Sequence, residues 1–295
     1  MNTIIIDGKK IADEIKSEIA IEVRAMIDSN MRPPHLAAVL VGEDPASLTY
    51  VNNKSKSCFE VGFTSSLYKY ENSITEEKLL DAINFLNNDD DVDGFIVQLP
   101  LPKHISAQKI ISRINPSKDV DGFHPVNLGR MLLNEPAFLP ATPFGIMKLL
   151  ERYNIETEGK NCVVLGRSNI VGTPVSVLLS RNAKPGNCTV TLCHSKTLNL
   201  REICASADIL IVAIGKPEFL TADMVKEGAV VIDVGMHRVP SDKTKSGFKL
   251  IGDVKYNEVS RKCSFISPVP GGVGLMTVAA LLINTLKAYK KEFQF

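Results

Sequence analysis

The chain has 295 residues, with 34 Lys and Arg against 33 Asp and Glu for a net charge of +1. That length favours two domains, each able to bury its own core, and the charge balance leaves no global field to attract nucleic acid or an anionic membrane, so a small molecule is the expected partner. No apolar run approaches the ~20 residues of a membrane span, and MNTIIIDGKK has neither the apolar core nor the cleavage site of a signal peptide. The six cysteines, Cys58, Cys162, Cys188, Cys193, Cys204 and Cys263, contain no C-x-x-C pair. Cys188 and Cys193 would face opposite sides of one strand, so the neighbouring His194 completes no metal site; reduced structural thiols in the cytoplasm are expected.

Ile11, Ile15, Ile19, Val23 and Ile27 recur at steps of four across 9–28, predicting an amphipathic first helix ended by Pro33 and Pro34. The continuous apolar strand HLAAVLVG follows, then a helix opened by Pro45, a strand near 63–70, a helix from Thr75 to about Leu86, a strand over 94–98 and a helix near 106–114. Pro136, Pro140 and Pro143 punctuate a break, and PFGIMKLLERY reads as a helix leading into a second unit. There the strand NCVVLG, the turn 167–169 and the helix IVGTPVSVLLSR begin a Rossmann-like succession. Strands NCTVTLC, DILIVAIG, AVVIDVG and CSFIS continue it, with helical patterns near 199–205 and 221–227, a polar surface loop over 241–249 and a last helix from Thr277 to about Lys290. Strands alternating with helices predict an α/β fold with parallel sheets covered on both faces.

Within that frame, Tyr50 and Lys54 stand one turn apart on one helix face, joining a ring to an amine, while Val51, Cys58 and Phe59 form the apolar row that holds the helix to a core. Such a face suits a flat heteroaromatic ligand. Gln98 ends a strand before Leu-Pro-Leu-Pro, where open α/β sheets bind ligands, and Asp121 follows in a polar Asp-Val-Asp-Gly loop. Each has a plainer reading when taken alone: a solvated lysine beside a half-buried ring, and a loop carboxylate capping a turn. Gly166-Arg-Ser-Asn-Ile-Val-Gly172 departs from G-x-G-x-x-G, with Ser168 at the middle glycine, and could be an ordinary strand–helix turn; yet a glycine turn feeding a helix offers N–H groups and a dipole end to phosphate. After the second strand come His194, Ser195, Lys196 and Thr197 with no carboxylate, and Arg167 adds a planar fork suited to phosphate oxygens; both features favour NADP over NAD.

The stretches DGKKIADEI, VGEDPASLTYVNNKSKSCFEVG, DGFIVQLPLP, NPSKDVDGFHPVNLGR, ATPFGIMKLLERY, VVLGRSNIVGTPVSVLL, TLCHSKT, GAVVIDVGMHR, GDV and PVPGGVGLMTVAALL stand in one order along the whole chain. In that order the sequence resembles the bifunctional methylenetetrahydrofolate dehydrogenase/methenyltetrahydrofolate cyclohydrolase family of one-carbon metabolism. The resemblance implies a folate-binding catalytic domain over 1–140, completed by a C-terminal helix over 277–295 that packs back on it. A Rossmann-like NADP-binding domain over 141–276 and a cleft between the domains are also implied. Lys54 would manage protons with Gln98 positioning its amine, Asp121 would hold the pterin, Tyr50 would stack on the folate, and Pro270, Gly271 and Gly274 would touch substrate. Gly166, Arg167, Ser168, Ile170, His194, Ser195, Gly235, Met236 and Gly272 would meet the cofactor, Arg167 and Ser195 gripping the 2′-phosphate. Tetrahydrofolate derivatives as partners, a homodimer and a place in purine biosynthesis are implied as well.

The chain departs from the family pattern at Leu275, where Pro is expected, and at Ala141, where Cys is frequent. Neither change removes a proton or a charge. Relatives with one activity, NAD-preferring members that borrow phosphate and a metal, and a non-catalytic nucleotide-binding protein are the competing readings.

Overall fold

A computed structural model describes residues 3–244 and 247–293. The elements run β1 (Ile4–Ile5), α1 (Gly8–Asp28), β2 (His35–Val41), α2 (Pro45–Glu60), β3 (Thr64–Tyr70), α3 (Glu76–Asn88), β4 (Gly94–Val97), α4 (Ala107–Arg113) and α5 (Pro125–Leu132). They continue with α6 (Ala141–Arg152), β5 (Asn161–Leu165), α7 (Gly172–Ser180), β6 (Thr189–Cys193), α8 (Leu200–Ala205), β7 (Ile209–Val212), β8 (Val230–Asp233), β9 (His237–Pro240), β10 (Phe248–Ile251), α9 (Tyr256–Val259), β11 (Phe265–Ile266) and α10 (Val273–Tyr289). The chain divides into two units.

One unit comprises Asp13–Ala141 and the chain from Val278 onward. Its sheet has the order β3-β2-β4, parallel throughout. The apolar run from Leu36 to Val41 is buried as the middle strand, as a strand covered on both faces requires. Leu79, Ile83 and Leu86 of α3 share a core with Ala37, Val39 and Val41 of β2, Phe95 and Val97 of β4, and Ile110 of α4. The helix starts follow capping chemistry. Asp44 accepts from Ser47 N at 2.8 Å ahead of Pro45, and Thr75 accepts from Lys78 N at 3.3 Å.

The other unit comprises the residues up to Ala12 and Thr142–Thr277. Its six parallel strands take the order β1-β11-β8-β7-β5-β6, around a core including Val163, Leu165, Leu210, Val212, Val231 and Ile266. Because β5 is flanked by β6 on one side and β7 on the other, the strand order reverses at its C-terminal end, where doubly wound sheets leave a crevice.

Several expectations need correction. The start of the chain contributes a strand that was not expected: Ile4 and Ile5 pair in parallel with Phe265 and Ile266 at the edge of the six-stranded sheet. A two-residue strand has no periodicity, and its partner lies at the other end of the sequence. Ile27 is exposed and Met26 is buried in its place, because steps of four drift off a helix that turns every 3.6 residues. Phe59 is 66% exposed, so of the expected apolar row of α2 only Val51 and Cys58 are buried. The pattern at 221–227 yields only a 3-10 turn at Ala222–Met224, since Val225 is extended and Gly228 has φ +79°. Part of the loop over 241–249, of which 245 and 246 lie outside the described residues, is strand: β10 pairs antiparallel with β9, and Arg238 lies 4.1 Å over the Phe248 ring.

Candidate functional site

In the three-stranded unit, the middle of α2 carries Tyr50 and Lys54, and Gln98 follows directly on the last residue of β4, Val97. Lys54 is 4% exposed, which rules out the solvated lysine. Its Nζ lies 4.5 Å from the Tyr50 ring centroid and donates to Gln98 Oε1 at 3.4 Å. Gln98 in turn donates from Nε2 to Leu99 O at 2.7 Å, an orientation that turns its oxygen toward the amine. Burial lowers the pKa of Lys54 from its ordinary value, with the charge of Asp121 opposing that fall. Burial likewise raises the carboxyl of Asp121, opposed by Lys54. Desolvation therefore works against the charged form of both groups, the condition that turns a lysine into a base.

Asp121 sits on a loop that is pinned from three sides. The neighbouring Asp119 is buried, and its carboxylate accepts from His124 N at 2.7 Å, Phe123 N at 3.3 Å and Asn127 Nδ2 at 2.8 Å. Burial pushes Asp119 up to about 7 despite those donors. Asn284 of α10 donates from Nδ2 to Val120 O at 2.8 Å and Leu139 O at 3.0 Å, and Asp121 O accepts from Ala141 N at 3.2 Å. Asp119, Asn127 and Asn284 are the supporting residues that sequence reasoning missed. The one available signal was an amide inside the apolar run LLINTLKAY.

In the six-stranded unit, a cavity of about 290 Å³ opens at the reversal of strand order. Of the residues proposed to meet a cofactor, Gly166, Arg167, Ser168, His194 and Ser195 line it, and Ile170, Gly235, Met236 and Gly272 lie outside its lining. Gly166 has φ +112°, and a Cβ there would meet Ala213 O at 2.1 Å, so the turn admits only glycine. The Ser168 hydroxyl accepts from Val171 N at 3.2 Å and Gly172 N at 3.4 Å, and Thr173 N bonds Ser168 O. The first helical N–H groups are thus satisfied within the chain, while the hydroxyl keeps its proton to donate. Beyond β6, His194 N donates to Thr197 Oγ1 at 2.9 Å and Lys196 N to His194 Nδ1 at 3.2 Å, which fixes the turn bearing Ser195.

Among the described residues, none that lines this cavity carries a carboxylate, and Lys216 adds a cation 5.5 Å over the Phe219 ring. Lys216 and Phe219 also escaped the sequence reading; their signal was position, just past the strand on the other side of the reversal. An anionic, partly apolar ligand fits this lining. Elsewhere in the unit, Gly271 has φ +101° and Met236 is 55% exposed, with its Cε 2.7 Å from where a Cβ on Gly274 would lie. Among the described residues no three His, Cys, Asp or Glu gather as metal ligands would, and no helix is long and apolar enough to cross a membrane.

Comparison with known proteins adds to this geometry. Residues 6–121 match the family model of the tetrahydrofolate dehydrogenase/cyclohydrolase catalytic domain, and residues 140–293 that of the tetrahydrofolate dehydrogenase/cyclohydrolase NAD(P)-binding domain. The chain is 61% identical over 286 residues to the bifunctional protein FolD of Porphyromonas gingivalis, covering 97% of each. It is similar to the crystal structure of the FolD methylenetetrahydrofolate dehydrogenase/cyclohydrolase from Campylobacter jejuni, with a TM-score of 0.92, 46% identity, and coverage of 99% of this chain and 100% of that one. It is also similar to the Trypanosoma brucei methylenetetrahydrofolate dehydrogenase-cyclohydrolase solved with NADP and an inhibitor, with a TM-score of 0.92, 35% identity and 98% coverage of each.

Proposed function

Because the chain belongs to the tetrahydrofolate dehydrogenase/cyclohydrolase family, we propose that it oxidises 5,10-methylenetetrahydrofolate with NADP and hydrolyses the 5,10-methenyltetrahydrofolate formed to 10-formyltetrahydrofolate. The observation that carries this reading is Lys54, a buried amine on a tyrosine face with an amide oxygen against it. NADP, when bound, supplies the hydride acceptor. The residues fit such a group: Arg167 offers a guanidinium to a 2′-phosphate, Ser168 and Ser195 offer hydroxyls, and no lining carboxylate among the described residues repels it.

Hydride departure leaves a cation delocalised over the folate nitrogens and asks no proton of the enzyme. Hydration does: water loses a proton as it attacks the bridging carbon, and a ring nitrogen takes one as the ring opens. Lys54, whose neutral form burial favours, takes and returns that proton, and Gln98 holds the amine in place. Asp121 accepts from the amino and ring N–H groups of the pterin, for which a carboxylate is the acceptor-rich partner. Tyr50 supplies the stacking face.

The test follows purified protein with methylenetetrahydrofolate and NADP at the reduced-nicotinamide and methenyl absorbance bands. The nicotinamide band should rise while the methenyl band stays low, because hydrolysis consumes the intermediate. Methenyl product accumulating in step with reduced nicotinamide would mean a dehydrogenase alone; no nicotinamide signal would end the proposal.

Asp121→Asn keeps the shape and removes the charge. A hydrogen bond to a charged group is worth about 1.5–3 kcal/mol, so folate-dependent kcat/KM in both steps should fall roughly 10- to 150-fold, with NADP affinity by calorimetry little changed. The same variant tests the pairing with Lys54. Asp121's negative charge raises the amine's pKa against burial; without it the pKa falls further, and the acid limb of residual cyclohydrolase activity should move to lower pH. An unmoved limb, after correction for spontaneous hydrolysis, would uncouple the two residues.

The proposal extends to a cytoplasmic homodimer that supplies formyl donors for purine biosynthesis. Six free, buried cysteines support a reducing compartment. A monomer in sedimentation at working concentration would remove the dimer.

A further inference from the structure

Gly252-Asp253-Val254, one of the words in the sequence, has no part in the reaction above. Asp253 is fully buried. Its Oδ2 accepts from Ile214 N at 2.8 Å and Gly215 N at 2.9 Å, and its Oδ1 faces His237 Nε2 at 2.7 Å. A carboxylate opposite that nitrogen requires His237 to carry its proton on Nε2 and donate. A second buried carboxylate holds the first in place: Asp233 accepts from Asp253 N, Val254 N and Gly235 N, each at 3.0 Å.

The packing is reciprocal. A Cβ on Gly235 would meet Asp253 Cγ at 2.5 Å, and one on Gly252 would meet Asp233 Oδ2 at 1.8 Å. Each aspartate occupies the space that the glycine beside the other leaves open, so the chain ends after β7 and β8 and the return from β10 are fastened at one point. The turn so held is a wall of the cofactor cavity, since Ala213, Ile214 and Lys216 line it together with Arg167 and Ser195.

We propose that Asp253 is a positioning residue for the dehydrogenase step, holding through the Ile214 and Gly215 N–H groups the turn whose Ala213, Ile214 and Lys216 wall the cofactor cavity, with His237 fixing the rotation of its carboxylate. The inference rests on the NADP reading of that cavity. Asp119 offers a contrast: a buried carboxylate that also binds backbone N–H groups, but in the loop of the folate-side residues. Loss of Asp253 should therefore separate the two activities, because the proton-handling group assigned to hydration, Lys54, and the Gln98 and Asp121 beside it lie in the other unit.

Asp253→Ala strands three donors, and NADP affinity measured by calorimetry should fall at least tenfold. The KM for NADP should rise, while hydrolysis of supplied methenyltetrahydrofolate stays within about twofold of the parent. His237→Ala, at a partly exposed position, removes one donor without opening the core and should weaken NADP roughly three- to tenfold. His237→Gln, which returns an N–H near Nε2, should restore affinity to within about twofold. Unchanged NADP binding in the folded variants, parallel loss of both activities, or a His237→Gln variant no better than His237→Ala would overturn this inference alone. Failure of the parent protein to bind NADP would overturn it together with the cofactor reading.

Discussion

Lys54→Met is expected to abolish cyclohydrolase activity and to leave dehydrogenase activity measurable, with methenyltetrahydrofolate accumulating as product. Methionine keeps the unbranched apolar stem of the side chain, one atom shorter, and fits a site that is already desolvated, so the fold is retained. What disappears is the amine to which the proposed mechanism assigns proton exchange with water and the ring nitrogen. General acid–base catalysis is worth about 10²–10⁴ in rate, and hydrolysis of supplied methenyltetrahydrofolate should fall by that factor toward the spontaneous background. Hydride transfer loses no proton acceptor, and removing an amine with some ammonium character beside a developing cation offsets part of any loss in binding. A folded Lys54→Met protein that hydrolyses methenyltetrahydrofolate at the parental rate would remove Lys54 from the mechanism.

The second large effect concerns the choice between cofactors. Arg167→Ala should weaken NADP roughly 10- to 150-fold, the equivalent of about 1.5–3 kcal/mol for a charged hydrogen bond, and weaken NAD no more than about threefold. Only NADP has a 2′-phosphate for the guanidinium to hold. Ser195, on a turn fixed by its own hydrogen bonds, and Lys216 remain in the cavity, so binding of NADP should be reduced rather than lost. Equal losses in kcat/KM for the two cofactors would show that Arg167 does not read the phosphate.

How far the sequence disclosed these sites depended on whether each residue acts through its neighbours in the chain or through distant ones. Pro45 and Asp44 announce the start of α2, and the four-residue step from Tyr50 to Lys54 places both side chains on one face; both are local facts. The run Leu36–Val41 is apolar without interruption because both its faces are covered, which is equally local. The roles of Asp119 and Asn284 could not be read, although an amide within LLINTLKAY marks Asn284 as unusual, because their partners, the N–H groups of a loop and the carbonyls of Val120 and Leu139, become neighbours only after folding. The β9–β10 hairpin was hidden by its polar turn. Phe59 shows the opposite failure: an apolar residue in a helical row reads as core, and here it faces solvent.

The pairing of Ile4 with Phe265 has a consequence for how the protein is made. At a synthesis rate of about 5–20 residues per second, the first strand waits on the order of 10–50 s before its partner leaves the ribosome. Throughout that interval the six-stranded sheet lacks its outermost strand. The segment bearing Asp121 waits a shorter time, on the order of 10–30 s, for the amide of Asn284, 164 residues beyond Val120. Each unit closes only once its distant partner has been made, Phe265 for the six-stranded sheet and Asn284 for the loop of Asp121. A nascent chain of this topology therefore depends on keeping its apolar strands shielded until the segments carrying Phe265 and Asn284 exist.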